Sequence, residues 1–149
     1  MALKRDSSAG YMTNLAGRLF VRALERRLAP LGLTPAHMPV LLGLEHGAQT
    51  QKILAEGARV EQPTMTATLN RMERDGLIER LPNPDDGRSS LVSLTEKARA
   101  SLPEIEAAVE EINALALGGL PEGEQAQYFA LLAHVIRALE QEERGAARL

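Results

Sequence analysis

Apolar residues recur at helical spacing from about Gly10 to Leu28. Tyr11, Met12, Leu15, Leu19, Ala23 and Leu28 keep mostly to one stripe, with Arg18, Arg22, Glu25 and Arg26 on another. Pro30 and Gly32 end this first helix. Thr34-Pro35 then has the form of an N-cap followed by Pro at the first helical position. It predicts a second helix to about Glu45 carrying Met38, Leu41, Leu42 and Leu44, in which Pro39 removes one ladder bond and Gly47 stops the run. A third helix is expected from Gln49 to Arg59, with Thr50 as N-cap and Ile53, Leu54 and Ala58 as its apolar side. Gly57 weakens it by about 1 kcal/mol relative to Ala. A fourth opens near Pro63. Met65, Leu69 and Met72 are spaced to face a core, which leaves Thr64, Thr66, Ala67, Asn70 and Arg71 on the other side until Asp75-Gly76 ends the helix.

The pattern then changes period. Leu77 to Leu81 alternates apolar and charged residues, as a half-buried strand does. The stretch PNPDDGRSS is a turn cluster, and Leu91 to Leu94 is a second short strand. Together they predict a hairpin with a long polar tip. Thr95 starts a helix to about Leu117, with Leu102, Ile105, Val109, Ile112 and Ala116 at helical spacing. Pro103 inside it predicts a kink or a late start. Gly118-Gly119 breaks it, and Pro121 opens a last helix striped by Phe129, Leu132, Val135, Ile136 and Leu139, with fraying expected from Arg144 to Leu149. The chain has 149 residues, enough for one domain or two small lobes sharing a core. It holds no internal repeat and no low-complexity segment.

Composition removes whole classes of function. There is no cysteine, hence no disulfide, thiol nucleophile or thiolate metal site. The three histidines, His37, His46 and His134, include no helical i, i+4 pair, so a paired-His zinc motif is unsupported. No G-x-S-x-G or P-loop is present, so neither an enzyme, a cofactor nor a metal is expected. With no Trp, two Tyr and two Phe, the chain lacks the stacking platforms of single-strand binders. No apolar run approaches the ~18–20 residues that span a bilayer, and MALKRDSSAGYM lacks a signal-peptide apolar region. A cytoplasmic location without membrane association is expected. The net charge of −3 hides a gradient: residues 1–30 carry +4, residues 51–100 balance, and residues 101–149 carry −6.

Two short helices, a polar-faced helix and a hairpin with a charged tip form the layout of a winged helix-turn-helix. An α-helix fits the major groove, where base edges present a donor and acceptor code. Thr66 and Ala67 can meet a thymine methyl, Asn70 can pair with adenine, and Arg71 with guanine. Arg88, the one basic group in the wing tip from Asn83 to Ser90, can reach a neighbouring minor groove, where narrow A·T-rich sequence attracts Arg. A solvated polar face and a turn arginine paired with Asp85 or Asp86 are the plainer readings of the same residues.

The segments LAPLGLTPAHMPVLLGL, TQKILAEGARVEQPTMTATLNRMERDGLIER and LPNPDDGRSSLVSLTEKA resemble the MarR family of transcriptional regulators, closely over about residues 28–98. The resemblance implies a mainly α fold with a small β-hairpin wing, in the order of four helices, two strands and two helices. It implies a winged helix-turn-helix DNA-binding lobe at 33–95 and a helical dimerisation base from 1–32 and 96–149. It further implies a homodimer on double-stranded DNA with an inverted-repeat operator. Gln62, Pro63, Thr64, Thr66, Ala67, Asn70 and Arg71 would lie on the DNA side of the fourth helix, with Arg88 in the minor groove. A repressor released by a small aromatic or phenolic acid is the implied activity. Met12, Arg18, Arg22, His37, Met38 and Leu41 are the candidate effector residues. A capping histidine, surface ion pairs and plain core are the alternatives for these. A regulator without an effector, or a helical interaction module that has lost DNA binding, remain alternatives for the whole. The chain departs from the family pattern at Glu61, which stands where a capping hydroxyl is common, at Ile53 in place of Glu, and at Gly57-Ala58.

Overall fold

The computed structural model describes residues 4–148. Helix α1 spans Ala9–Leu28, and the Ser8 hydroxyl caps it by accepting from the Tyr11 N–H at 3.3 Å. A 3₁₀ turn at Ala29–Leu31 follows, and Gly32 takes the left-handed conformation that reverses the chain. The helix expected from Pro35 to Glu45 is divided in two: a 3₁₀ turn at Pro35–His37, then α2 at Met38–Leu44. Pro39 is the reason. By restarting at Met38 the chain puts Pro39 in a first turn, where an N–H would have no intrahelical partner anyway.

Strand β1 at Gln49–Thr50 leads into α3 at Gln51–Ala58, whose first turn is capped by Thr50 Oγ1 accepting from Ile53 N–H at 3.3 Å. Helix α4 covers Gln62–Arg74 with Pro63 in its first turn, and Glu61 makes no side-chain cap. The wing is β2 at Ile78–Pro82 paired antiparallel with β3 at Ser90–Leu94, with Arg80 opposite Val92. The expected hairpin forms, and β1 adds to it a third strand that was not expected, giving the order β1-β3-β2, because Gln49 and Thr50 pair with Val92 and Leu91. Two residues are too few to register a period of two, so Gln49 had the look of a helix start.

The chain divides into two compact units, one ending at Glu110 and the other beginning at Glu111. The first holds the main core: Leu28, Val40, Leu41, Leu44, Leu69, Met72 and Val92 are all but fully buried, with Met65 beside them. The i, i+4, i+7 stripe of α4 is thus on the inside. Gly43 lets α3 come close, since a Cβ there would stand 2.7 Å from Leu54 Cδ2. Helix α5 runs Glu96–Leu117 with Pro103 inside it, so the late start is not taken. Its entry is tied to the end of α4. Thr95 Oγ1 donates to Gly76 O at 2.6 Å and accepts from Ala98 N–H at 3.3 Å, while Lys97 Nζ donates to Asp75 O at 2.8 Å. These bonds satisfy carbonyls at a helix C-terminus and put a cation at its negative end.

In the second unit Ile112 and Leu117 are buried. Helix α6 spans Glu122–Ala146 and buries none of its residues. The helix persists past the expected fraying point at Arg144, and Leu149 lies outside the described residues. Its apolar stripe is open: Phe129, Val135, Ile136 and Leu139 are 38–62% exposed. Helix α1, in the first unit, likewise exposes Tyr11, Met12, Leu19 and Val21. Among the described residues no helix is long and apolar enough to cross a membrane.

Candidate functional site

Burial of Met65, Leu69 and Met72 fixes the rotation of α4, and Gln62, Pro63, Thr64, Thr66, Ala67, Asn70 and Arg71 are consequently all exposed. The face is organised by neighbours that the helical period did not single out. Gln51, at the start of α3, donates through Nε2 to Thr66 Oγ1 at 2.6 Å and to Gln62 Oε1 at 3.2 Å. Thr66 Oγ1 in turn donates to the Gln62 carbonyl at 2.9 Å, and Thr68 does the same to Thr64 at 3.1 Å. From β2, Arg80 Nη2 donates to Asn70 Oδ1 at 3.0 Å while its Nε sits 3.3 Å from Glu73 Oε2. Gln51 and Arg80 are the residues missed by sequence reasoning. Only the packing of α3 and β2 against α4 brings them there, and nothing local in the sequence marks them.

The wing tip is shaped by side chains bonding to nearby backbone, as Asn and Asp do in turns. Asn83 Oδ1 accepts from Asp85 N–H at 3.0 Å, and Asn83 Nδ2 donates to Ser89 Oγ at 3.0 Å. Asp86 Oδ1 accepts from the Arg88 N–H at 2.9 Å. Asp86 therefore holds the backbone of Arg88 and leaves the exposed guanidinium without a partner among the described residues. The ion pair with Asp85 or Asp86 that the plainer reading offers does not form.

A cavity of about 300 Å³ lies between α2 and the first half of α5. Met38 and Leu41, two of the six effector candidates, line it together with Leu42, Leu102, Ile105 and Val109. Met12, Arg18, Arg22 and His37 are not in its lining. Three carboxylates are: Glu45, Glu106 and Glu110. Arg99 Nη1 reaches the Glu45 carbonyl at 3.5 Å and brings a cation to that edge. A second hollow, between α2 and α3, is lined by Pro39, Leu42, Gly43 and Ile53 among others and carries no charged group. His37 is buried, and its Nδ1 accepts from the Thr34 N–H at 3.2 Å. Burial pushes the imidazole below the ordinary histidine value; Asp75 pulls it back in part and Arg71 pushes the same way as burial. The capping alternative describes the observed His37, which works inside the fold near the end of α4. Among the described residues no three His, Asp or Glu side chains group as a metal site would need.

Comparison with known proteins places this geometry. A family model described as the MarR family matches residues 31–89, which contain α2 to the wing tip. A crystal structure of a probable transcriptional regulator from Pseudomonas aeruginosa is 34% identical, covering 89% of this chain and 99% of that one, with a TM-score of 0.76. A mutant MarR from E. coli, complexed with operator DNA, is 29% identical, covering 85% of this chain and 91% of that one, with a TM-score of 0.78. The transcriptional repressor CouR, bound to a 23-mer DNA duplex, is 28% identical over 91% of this chain and 99% of that one, with a TM-score of 0.80. Helix order, wing and sequence likeness agree, and the chain belongs to the MarR family of transcriptional regulators.

Proposed function

We propose that the protein is a sequence-specific double-stranded DNA-binding repressor, working as a homodimer and released by a small aromatic acid. The observation that carries the DNA-binding reading is the exposed α4 face beside a wing whose Arg88 guanidinium is uncommitted. The relatives solved with DNA support it. An α-helix enters the major groove, and an unpaired arginine on a short hairpin suits the adjacent minor groove. The open apolar faces of α1 and of α6 support the homodimer, each being a stripe that a single chain leaves in water. A two-fold dimer meets successive major grooves, so the operator is an inverted repeat with half-sites about 10 bp apart.

The effector reading rests on the cavity between α2 and α5. Met38, Leu41, Leu102, Ile105 and Val109 suit an aromatic ring. Glu45, Glu106 and Glu110 repel a carboxylate, so the acid group of an effector turns away from them, and Arg99 is the cation that the cavity edge offers. A ligand shifts the DNA-binding equilibrium only by its differential affinity, so a tenfold release requires about 1.4 kcal/mol of preference for the released state. Titration of the full-length protein against an enriched duplex, with and without hydroxylated benzoates and pyridine carboxylates, tests both parts. Specific binding displaced by one of these acids is the expected result. Binding that no acid displaces removes the acid effector, and a duplex bound no better than random sequence removes the regulator reading.

A further inference from the structure

We propose that the DNA side of α4 is set as a hydrogen-bond donor surface, with Arg80 and Gln51 as positioning residues, so that it reads acceptor atoms and methyl groups of bases and not their amino groups. The inference rests on the DNA-binding reading above and adds which base chemistry that face takes.

The assignment of donors and acceptors follows from groups that have no choice. A guanidinium only donates. The atom of Asn70 that lies 3.0 Å from Arg80 Nη2 is therefore its oxygen. Arg80 is itself held by Glu73 at 3.3 Å, and its side chain is only 28% exposed, so it is anchored where it makes this bond. The pairing with adenine expected from the sequence needs the amide oxygen to accept from the base amino group while the amide nitrogen donates to N7. With one lone pair of the oxygen committed to the guanidinium, an arriving amino group has to share the atom with a donor already in place. The amide nitrogen of Asn70 stays available.

The same logic runs through Thr66. The main-chain carbonyl of Gln62 only accepts, so the single hydroxyl proton of Thr66 is committed there at 2.9 Å. Its oxygen must then accept from Gln51, which fixes that amide with its nitrogen inward at 2.6 Å. That nitrogen also donates to the side-chain oxygen of Gln62 at 3.2 Å, leaving Gln62 with its amino group. On α4 itself the groups left over are thus the amide nitrogens of Asn70 and Gln62 and the guanidinium of Arg71, with the methyls of Thr66 and Ala67 between them, while Gln51 on α3 leaves its own amide oxygen beside them as an acceptor. Among the α4 residues of the expected DNA face, Thr64 alone keeps an uncommitted hydroxyl. Donors and methyls complement guanine N7 and O6, adenine N7, and thymine O4 and its methyl.

Duplexes enriched from a randomised pool by the full-length protein supply the probe. Guanines of an enriched half-site are then replaced by 7-deazaguanine, thymines by uracil, and adenines by purine without the amino group. Loss of N7 or of a methyl is expected to weaken binding about three- to tenfold at one or more positions, and loss of the adenine amino group to leave it within about twofold. Arg80→Met frees the Asn70 oxygen and keeps an apolar stem. Enrichment repeated with this variant is expected to gain an adenine whose amino group now matters by about threefold or more. Arg80→Lys, which still donates, retains the wild-type preference. The inference is overturned if the wild type depends on an adenine amino group as strongly as on any acceptor. It is equally overturned if Arg80→Met weakens all duplexes alike with no change in base preference, which marks a merely structural role. A pool that yields no enriched duplex overturns the DNA-binding reading itself.

Discussion

Arg88→Ala separates the wing from the rest of the interface. In the folded chain the Arg88 side chain is exposed and has no partner among the described residues, and the bond from its N–H to Asp86 Oδ1 uses the backbone, which alanine keeps. The substitution therefore leaves stability within about 0.5 kcal/mol, the range of surface changes away from special features. Its whole effect falls on DNA. A charge-assisted hydrogen bond is worth about 1.5–3 kcal/mol. A homodimer loses one such contact in each wing, so the free energy lost is about 3–6 kcal/mol. At about 1.4 kcal/mol per decade this is a weakening of at least about a hundredfold. The slope of log affinity against log salt should fall by about one for each phosphate-proximal charge removed. Fluorescence anisotropy with an enriched duplex at several salt concentrations reads both numbers, and the melting temperature checks the fold. The reasoning fails if the variant binds as tightly as wild type, or if it melts well below wild type, since its guanidinium would then have a structural partner.

Leu69→Ala, at a site with no exposed surface, is expected to cost about 3–5 kcal/mol, whereas Leu42→Ala, 63% exposed, costs under about 1 kcal/mol; denaturant melts compare the two. His37 is held neutral by burial, so its pKa is lower folded than unfolded, and the sign of linkage is that stability is complete above the ordinary histidine value and drains as pH falls through it toward the folded value. Melting temperatures between about pH 7.5 and 5 should decline for the wild type and flatten for His37→Gln, an outcome that a parallel decline of the variant contradicts. Leu139→Glu puts a charge into the open stripe of α6 and should shift the sedimenting species toward the monomer mass, while an unchanged mass means that α6 does not carry the interface.

What was legible in the sequence follows from the range of each signal. The face of α4 could be placed because Met65, Leu69 and Met72 sit at helical spacing and all three are buried, which fixes where Thr66 and Asn70 lie. The wing could be placed because a turn cluster separates the alternating run Leu77 to Leu81 from a second short apolar stretch, Leu91 to Leu94. Strand β1 could not, because pairing of Gln49 with Val92 links positions far apart and two residues carry no period. Gln51 and Arg80 escaped for a related reason. Each acts through a side-chain bond across elements, Gln51 to Thr66 and Arg80 to Asn70, and such bonds leave no trace in local spacing. The effector candidates mixed two environments. Met38 and Leu41 line the α2–α5 cavity, but His37, one residue earlier, turns to the Thr34 N–H because it completes a 3₁₀ turn before the helix restarts.

The modest charge of the DNA-facing lobe bears on how specificity arises. Residues 51–100 carry eight basic and eight acidic groups, so the placement of each cation, and not the net charge, decides what meets phosphate there. What the lobe offers instead is selectively released charge. Arg80 is neutralised by Glu73 and committed to Asn70, Lys97 is held at the end of α4, and Arg88 is kept free by an aspartate that takes its backbone instead of its guanidinium. Arg80 and Lys97 are thus engaged within the fold, while Arg71 on α4 and Arg88 at the wing tip stay open, as does the exposed Lys52 on α3. Such a surface gains most from a site that satisfies α4 and wing together. A regulator of this build discriminates by fit between fixed donors and groove atoms.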